Sequence, residues 1–323
     1  MTKVLITGFS GFVAKHFVDR LMQDNDSYSV LGIDVNAPGF PLENVVDASF
    51  AFKKCNLLEK DELKKVLLSF APDLILHLAA FSSVGFSWQA PDLCLKNNVE
   101  IFLNLMEILR EMKFKGRILS VGSSEEYGNY NEDLLPLKEE YALHPISPYA
   151  VARVTQENLS KVYADGFGLD IIMTRSFNHI GPGQKEKFVI PSFAKQLVEL
   201  KRGLMPEKKL TTGDVYIVRD FLDVRDVVDA YLKLLKYGEK GEVYNICSGQ
   251  GQPLHEIIKK MCNILDIDVE INQDNQLIRP NDNKKVIGCN DKIKLATGWQ
   301  PKYSIDESLK DIIAYWMKCY KGV

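Results

Sequence analysis

The stretch KVLITGFSGFVAK, residues 3–15, runs from an apolar segment through a glycine-rich turn into a helix-forming pattern. Its first half, KVLITG, has the uninterrupted apolar character of a strand buried on both faces. Gly8 and Gly11 fall at the turn, and Ala14 stands at the position of a third glycine. Glycines there let backbone N–H groups close on a pyrophosphate, which then rests on the positive end of the helix that follows. Glycine alone marks any turn. Here it follows a strand and opens an amphipathic helix, so Gly8, Ser10, Gly11, Phe12 and Val13 are read as a dinucleotide cradle.

The next apolar run, SVLGID (residues 29–34), ends on Asp34. That is about twenty residues past the cradle, where a carboxylate takes the adenosine ribose hydroxyls. A 2′-phosphate would be repelled there, and Val35, Asn36 and Ala37 bring no arginine to attract one. The expected cofactor is NAD(H), with NADP(H) ranked below it. The plainer reading of Asp34 is a carboxylate that caps a loop.

Outward from these runs the chain keeps one rhythm to residue 177. DLILHLAA, GRILSVGSS and LDIIMTRSF are further strand candidates. Between the strands lie GFVAKHFVDRLMQ, KDELKKVLLSF, PDLCLKNNVEIFLNLMEILREMKF and SPYAVARVTQENLSKVYADGF, with apolar residues near a helical period. Such alternation predicts an α/β fold with a doubly wound parallel Rossmann sheet. After Phe177 the turn-rich NHIGPGQ breaks the rhythm, and shorter strands and isolated helices follow. Residues 1–177 are therefore expected to form the NAD-binding domain, and 178–323 a smaller C-terminal α/β region for substrate. A helix capped by Asp223 within LDVRDVVDAYLKLLKYG is expected to rejoin the first domain, over about 222–246.

Composition excludes several classes. The 323 residues are 46% hydrophobic and 26% charged, an ordinary globular balance. A formal net charge of -3 points to no nucleic-acid partner. Six cysteines without CxxC spacing support neither a disulfide framework nor a metal site. The longest apolar tract, VLLSFAPDLILHLAAF, is interrupted by Pro72 and Asp73, so no membrane span is expected. With an N-terminal segment that enters a strand at once, a soluble cytoplasmic protein is the expectation.

SPYAVARVTQ (residues 147–156) places Tyr149 and Arg153 one helical turn apart. A cation beside a phenol favours the phenolate, which would make the tyrosine a poised acid/base. Most such pairs are ordinary helix surface, so other motifs must decide.

The cradle, HLAA (77–80), GSSEEYG (122–128), YAVAR (149–153), RSFNHIGPGQ (175–184), VRDFLDVRDVV (218–228) and EVYNICSG (242–249) occur in an order that resembles the extended short-chain dehydrogenase/reductases. Within that superfamily the segments are most similar to the GDP-4-dehydro-6-deoxy-D-mannose reductases, close kin of the GDP-mannose 4,6-dehydratases. The resemblance implies that Tyr149 exchanges a proton with a sugar hydroxyl and that Ser123 bonds the same oxygen. Glu125 stands where dehydratases keep a proton-abstracting glutamate, although similar reductases also carry SSEEYG. Asn56, Leu57, Leu78, Ala79, Ala80, Asn98, Val121 and Phe177, with Tyr149 and Arg153, would line the cofactor. Ser82, Ser124, Asn178, Arg219 and Arg279 would hold the sugar nucleotide. No metal is implied.

Two positions depart from that pattern. Arg153 replaces the usual lysine, which bonds the nicotinamide ribose and acidifies the phenol; the swap is not conservative at a tight site. Asn56 replaces an aspartate that relatives often set against the adenine. Plainer readings also stand beside the functional ones. Ser123 and Ser124 are polar residues at a strand end, His77 is a core histidine, His179 a structural or cofactor-orienting residue, and the arginines surface partners of residues such as Asp220.

The expected activity is NAD(H)-dependent hydride transfer at C4 of a nucleotide-linked sugar, foremost reduction of a GDP-4-keto-6-deoxyhexose. The alternatives are C4 oxidation of an intact GDP-sugar, 4,6-dehydration, and a non-catalytic sugar-nucleotide binding protein. Apolar residues on the helices around 92–113 and 147–165 exceed what one sheet face needs, so a homodimer is expected.

Overall fold

The computed structural model describes residues 1–40, 50–278 and 283–320. In chain order the first part runs β1 (Thr2–Thr7), α1 (Phe12–Met22), β2 (Tyr28–Asp34), β3 (Phe50–Lys54), α2 (Lys60–Phe70), β4 (Leu74–His77), α3 (Val84–Gln89), α4 (Pro91–Glu111), β5 (Arg117–Ser123), α5 (Pro148–Gly166) and β6 (Asp170–Ser176). The second part runs β7 (Asn178–Ile180), α6 (Val189–Lys201), β8 (Lys209–Thr212), β9 (Val218–Asp223), α7 (Val224–Tyr237), β10 (Val243–Ile246), β11 (Gly251–Pro253), α8 (Leu254–Leu265), β12 (Glu270–Gln273), β13 (Lys285–Val286), α9 (Asp291–Thr297) and α10 (Ile305–Cys319).

Seven strands form one parallel sheet in the order β10-β6-β5-β4-β1-β2-β3. The order reverses between β1 and β4, which opens a crevice at the carboxyl ends of those strands. This is the doubly wound α/β sheet expected from the alternating runs. One strand escaped that reading: β3 is an edge strand with Lys53 and Lys54 exposed. α1 and α7 pack on one face around Phe17, Val227 and Tyr231, and α2, α4 and α5 on the other around Leu63, Phe102 and Tyr163.

The polypeptide crosses between the two parts more than once. Asp223 caps α7 by accepting from Arg225 N at 2.8 Å. That helix lies against α1, and β10 then pairs with β6 in the main sheet. A four-stranded sheet centred on β9 pairs with β7 and β13 in parallel and β11 antiparallel. α6, α8 and α10 bury Phe193, Ile257, Ile312 and Trp316 beside it. Asp220 ties the loops over this sheet together, accepting from Ser248 N and Oγ, Gly249 N and Gly288 N. Among the described residues no helix is long and apolar enough to cross a membrane.

A buried ionic hub fixes the segment after β5. Arg175 grips Glu157 through Nε and Nη2 at 2.8 and 2.9 Å, donates to the Glu139 carbonyl, and lies 4.7 Å from the Tyr127 ring centroid. Tyr127 donates to Asn245 Oδ1, whose amide reaches the carbonyls of Leu137 and Cys289. Beside this hub Glu126 is fully buried. Its Oε1 accepts from Ser123 N at 2.6 Å, while Oε2 has no partner among the described residues. A Cβ at position 122 would meet Oε1 at 2.4 Å, so the carboxyl sits where only glycine leaves room.

Burial, and then the charge of Glu157, pushes the Glu126 carboxyl well above its ordinary value of 4.5. A protonated Oε2 becomes a donor toward Glu157. Above pH 4.5 the unfolded chain ionises at this position while the folded chain keeps its proton, so stability falls as pH rises toward the folded-state value. Glu126→Gln removes that slope and retains both an acceptor for Ser123 N and a donor for Glu157. Thermal melting from pH 4 to 8 should show no gain for the variant at pH 4. Above 4.5 the gain should grow by up to about 1.4 kcal/mol for each pH unit. A difference between parent and variant that does not change with pH would refute the buried neutral acid.

Candidate active site

The glycine turn is shaped by contacts on three sides. Gly8 has φ +69°, and a Cβ there would meet Ala79 N at 2.8 Å, so the turn runs against the end of β4. Gly11 N donates to Gly8 O at 3.1 Å, and Gly11 then opens α1. Phe9 points down into the core against the middle of β2, where a Cβ on Gly32 would fall 2.0 Å from its ring. The loop thus has the tight backbone and open helix N-terminus that a pyrophosphate requires. Phe12 and Val13 are half-buried in the first turn of α1.

Asp34 faces this loop. Its carboxylate accepts from Ser10 N at 3.1 Å and from Asn36 N at 3.0 Å, and Ser10 Oγ donates to Asn36 O. The loop-capping reading of Asp34 is therefore realised in the geometry. Asn56 forms a turn of its own, its Oδ1 accepting from Leu58 N, and Leu57 is buried beneath it. Asn98, on α4, clamps Phe81 by accepting from its N–H and donating to its carbonyl. That clamp holds the segment of Leu78, Ala79 and Ala80, with Ser82 exposed just beyond it. Of the residues expected at the cofactor, Leu57 and Phe177 have their side chains in the core. Phe177 packs with Tyr127 and Cys247.

The start of α5 decides where the tyrosine stands. Ser147 caps the helix by accepting from Ala150 N, and Pro148 occupies the first turn, where its missing N–H costs nothing. Tyr149 therefore lies in the first turn and Arg153 one turn below it. The two meet: Arg153 Nε donates to the Tyr149 hydroxyl at 3.1 Å. Arg153 Nη1 donates to the Val121 carbonyl at 3.0 Å and to Gln156 Oε1 at 2.7 Å. Its Nη2 has no partner among the described residues. Tyr149 and Arg153 are 6% and 5% exposed, so this is not helix surface.

α5 packs against β5 and against the 3₁₀ turn at Ser124–Tyr127. Ser123 ends β5 with its Oγ accepting from Glu125 N at 3.2 Å. Ser123 and Ser124 are buried, while Glu125 is half-buried. Both hydroxyl oxygens of the expected pair, Ser123 and Tyr149, thus accept from protein N–H groups. Their own protons have no acceptor among the described residues, so both are available to an acceptor from outside the chain.

Two of the remaining expected residues lie on the four-stranded sheet. Asn178 is half-buried in β7, beside His179, whose Nδ1 bonds the Phe177 carbonyl and whose burial lowers its pKa. Arg219, 9% exposed, lies on β9, where its Nη1 donates to Val218 O. Arg279 lies outside the described residues. His77 is fully buried; its Nδ1 bonds Thr7 Oγ1, Nε2 has no partner among the described residues, and burial lowers its pKa to about 3. Sequence reasoning missed Gln156, Ser120 and the Glu157–Arg175 pair. The spacing of Gln156, three residues after Arg153, was the only signal for it.

Residues 5–312 match the model of the GDP-mannose 4,6 dehydratase family. The chain is 36% identical over 314 residues to the GDP-6-deoxy-D-mannose reductase of Pseudomonas aeruginosa, covering 97% of both. The solved structure of RMD from Pseudomonas aeruginosa complexed with NADPH aligns with a TM-score of 0.85, over 98% of this chain and 100% of that one. The UDP-glucuronic acid 4-epimerase of Bacillus cereus, solved with UDP-glucuronic acid and NAD, aligns at 26% identity over 99% of this chain and 100% of that one, with a TM-score of 0.87. With its motifs in order on a doubly wound sheet, the chain belongs to the GDP-mannose 4,6 dehydratase family of extended short-chain dehydrogenase/reductases.

Proposed function

We propose that the chain is an NAD(P)H-dependent reductase that converts the 4-keto group of a GDP-linked 6-deoxyhexose to the alcohol. The observation that carries this reading is that the Tyr149 and Ser123 oxygens both already accept from protein N–H groups, which leaves each hydroxyl proton for an acceptor elsewhere. A ketone oxygen only accepts, so it suits such a pair better than an alcohol does. The near full-length similarity to a GDP-6-deoxy-D-mannose reductase supports the same substrate class.

A dinucleotide held there would supply the hydride for C4 of the sugar. Ser123 donates a hydrogen bond to the carbonyl oxygen. Tyr149 donates to the same oxygen and passes its proton as the alkoxide develops. Arg153 holds the phenol oxygen through Nε and places a fixed positive charge beside it. The glycine turn holds the pyrophosphate, and Asn98 orders the segment under the nicotinamide half. Residues 1–177 with about 222–246 are assigned to the cofactor. The 178–323 region, with Asn178 and Arg219, is assigned to the diphosphate and base.

The ranking of NAD(H) above NADP(H) drawn from Asp34 is corrected. The Asp34 carboxylate is engaged by Ser10 and Asn36, and Lys54 pairs beside it at the exposed end of β3. A relative 36% identical was solved with NADPH. The cofactor is thus NAD(P)H, and NADPH is expected to bind at least as tightly as NADH. Fluorescence titration of both reads this out, and clearly tighter NADH would restore Asp34 as a discriminator.

We also propose a homodimer through the faces of α4 and α5 that expose Leu93, Leu103, Val151 and Val162. Light scattering should give twice the chain mass, and a monomer at working concentrations would overturn it.

Incubation with NADPH and a GDP-4-keto-6-deoxyhexose should yield a product two hydrogens heavier by mass spectrometry. Loss of water from GDP-mannose would instead mark a dehydratase. Tyr149→Phe should keep NADPH binding and lower kcat by about a hundredfold or more. An unchanged kcat would remove Tyr149 from the reaction.

A further inference from the structure

Where related enzymes are expected to carry lysine, the buried guanidinium of Arg153 has more donors than one ribose and one phenol can use. Nε holds Tyr149, and Nη1 is taken by the Val121 carbonyl and Gln156 Oε1. Gln156 is 2% exposed and is itself held at its other end, where Nε2 donates to Ser120 Oγ at 2.9 Å and to Val121 O at 3.1 Å. Ser160 Oγ lies 3.1 Å from the same Ser120 hydroxyl. Chemistry fixes the orientation of the amide. Turned over, its oxygen would face the Val121 carbonyl and its NH₂ would face Nη1, two clashes of like groups.

We propose that Gln156 is the positioning residue that makes arginine workable at this site. It captures Nη1, so that Nε stays on the Tyr149 oxygen and Nη2 is directed to the ribose of the nicotinamide half of NAD(P)H. This rests on the reading of Arg153 as the ribose contact of a nicotinamide enzyme. Lysine has one nitrogen and no fork, so it has no need of such a brace. The extended chain Gln156–Ser120–Ser160 on α5 and β5 then serves to lock the amide.

A double-mutant cycle tests the assignment on the full chain. Parent, Gln156→Leu, Arg153→Lys and the double variant are titrated with NADPH and assayed for kcat. Gln156→Leu should weaken NADPH binding and lower kcat, each by about tenfold, in the arginine background. In the lysine background the same change should alter each by less than about threefold. KM for the sugar should move little, because Gln156 is buried and its partners lie on α5 and β5. Equal penalties in both backgrounds would mean that Gln156 is ordinary core, and the proposal would fall. If the leucine variant does not fold, Gln156→Met, which keeps the chain length, is carried through the same cycle and read in the same way. Cofactor titration needs no sugar, so a wrong sugar assignment leaves this reading intact; NADH takes the place of NADPH if it binds more tightly, and failure of the parent to bind either would instead remove the cofactor reading itself.

Discussion

Arg153 carries a permanent charge into a place where solvent barely reaches it, and the partners it finds there are neutral oxygens: a phenol, a main-chain carbonyl and an amide. A buried cation without a carboxylate bonded to it is costly unless every donor is satisfied or an anion arrives. Its field is felt nearby, adding to the burial that suppresses protonation of His77. Such an uncompensated centre favours negative charge wherever it develops within reach. On the proposed reaction, an oxyanion growing on a sugar beside Tyr149 would be charge of that kind.

α5 carries two buried ionic arrangements on neighbouring turns, and they serve different ends. Arg153 is held by neutral acceptors, while Glu157, four residues on, is locked bidentately to Arg175. The second arrangement binds the helix to β6 and, through Tyr127 and Asn245, to β10 and the segments at Leu137 and Cys289. Removing one partner of such a pair strands the other in the core. The ionic lock therefore fixes the helix that presents the phenol, and the neutral cage leaves the working charge unquenched.

Much of this was legible in the chain itself. The alternating runs gave the doubly wound sheet, the Gly8–Gly11 pattern gave the tight turn that opens α1, and Ser147-Pro148 started a helix with Tyr149 in its first turn. What escaped has physical reasons. The β3 segment FAFKK is short, half exposed and at an edge, so its pattern is weak. Arg175 and Glu157 lie 18 residues apart and Tyr127 and Asn245 118 apart, separations at which no local period reports contact. Asp34 was identified as a carboxylate at the right strand end, yet its direction depends on Ser10 and Asn36, which the pattern does not reveal. The three-residue spacing of Gln156 from Arg153 is shared by any polar residue on that helix face, and only its buried position discloses its partners.

The ring of Phe9 seated over Gly32 has a consequence for ligand affinity. Because an aromatic plug in the sheet anchors the glycine turn, a dinucleotide bound there as proposed would meet a loop already braced from within the fold. Association then carries little entropic penalty for ordering that loop, and more of the contact energy is expressed as affinity. Positions 9 and 32 are consequently a matched pair: a side chain at 32 would expel the ring and loosen the cradle from below, without touching the ligand at all.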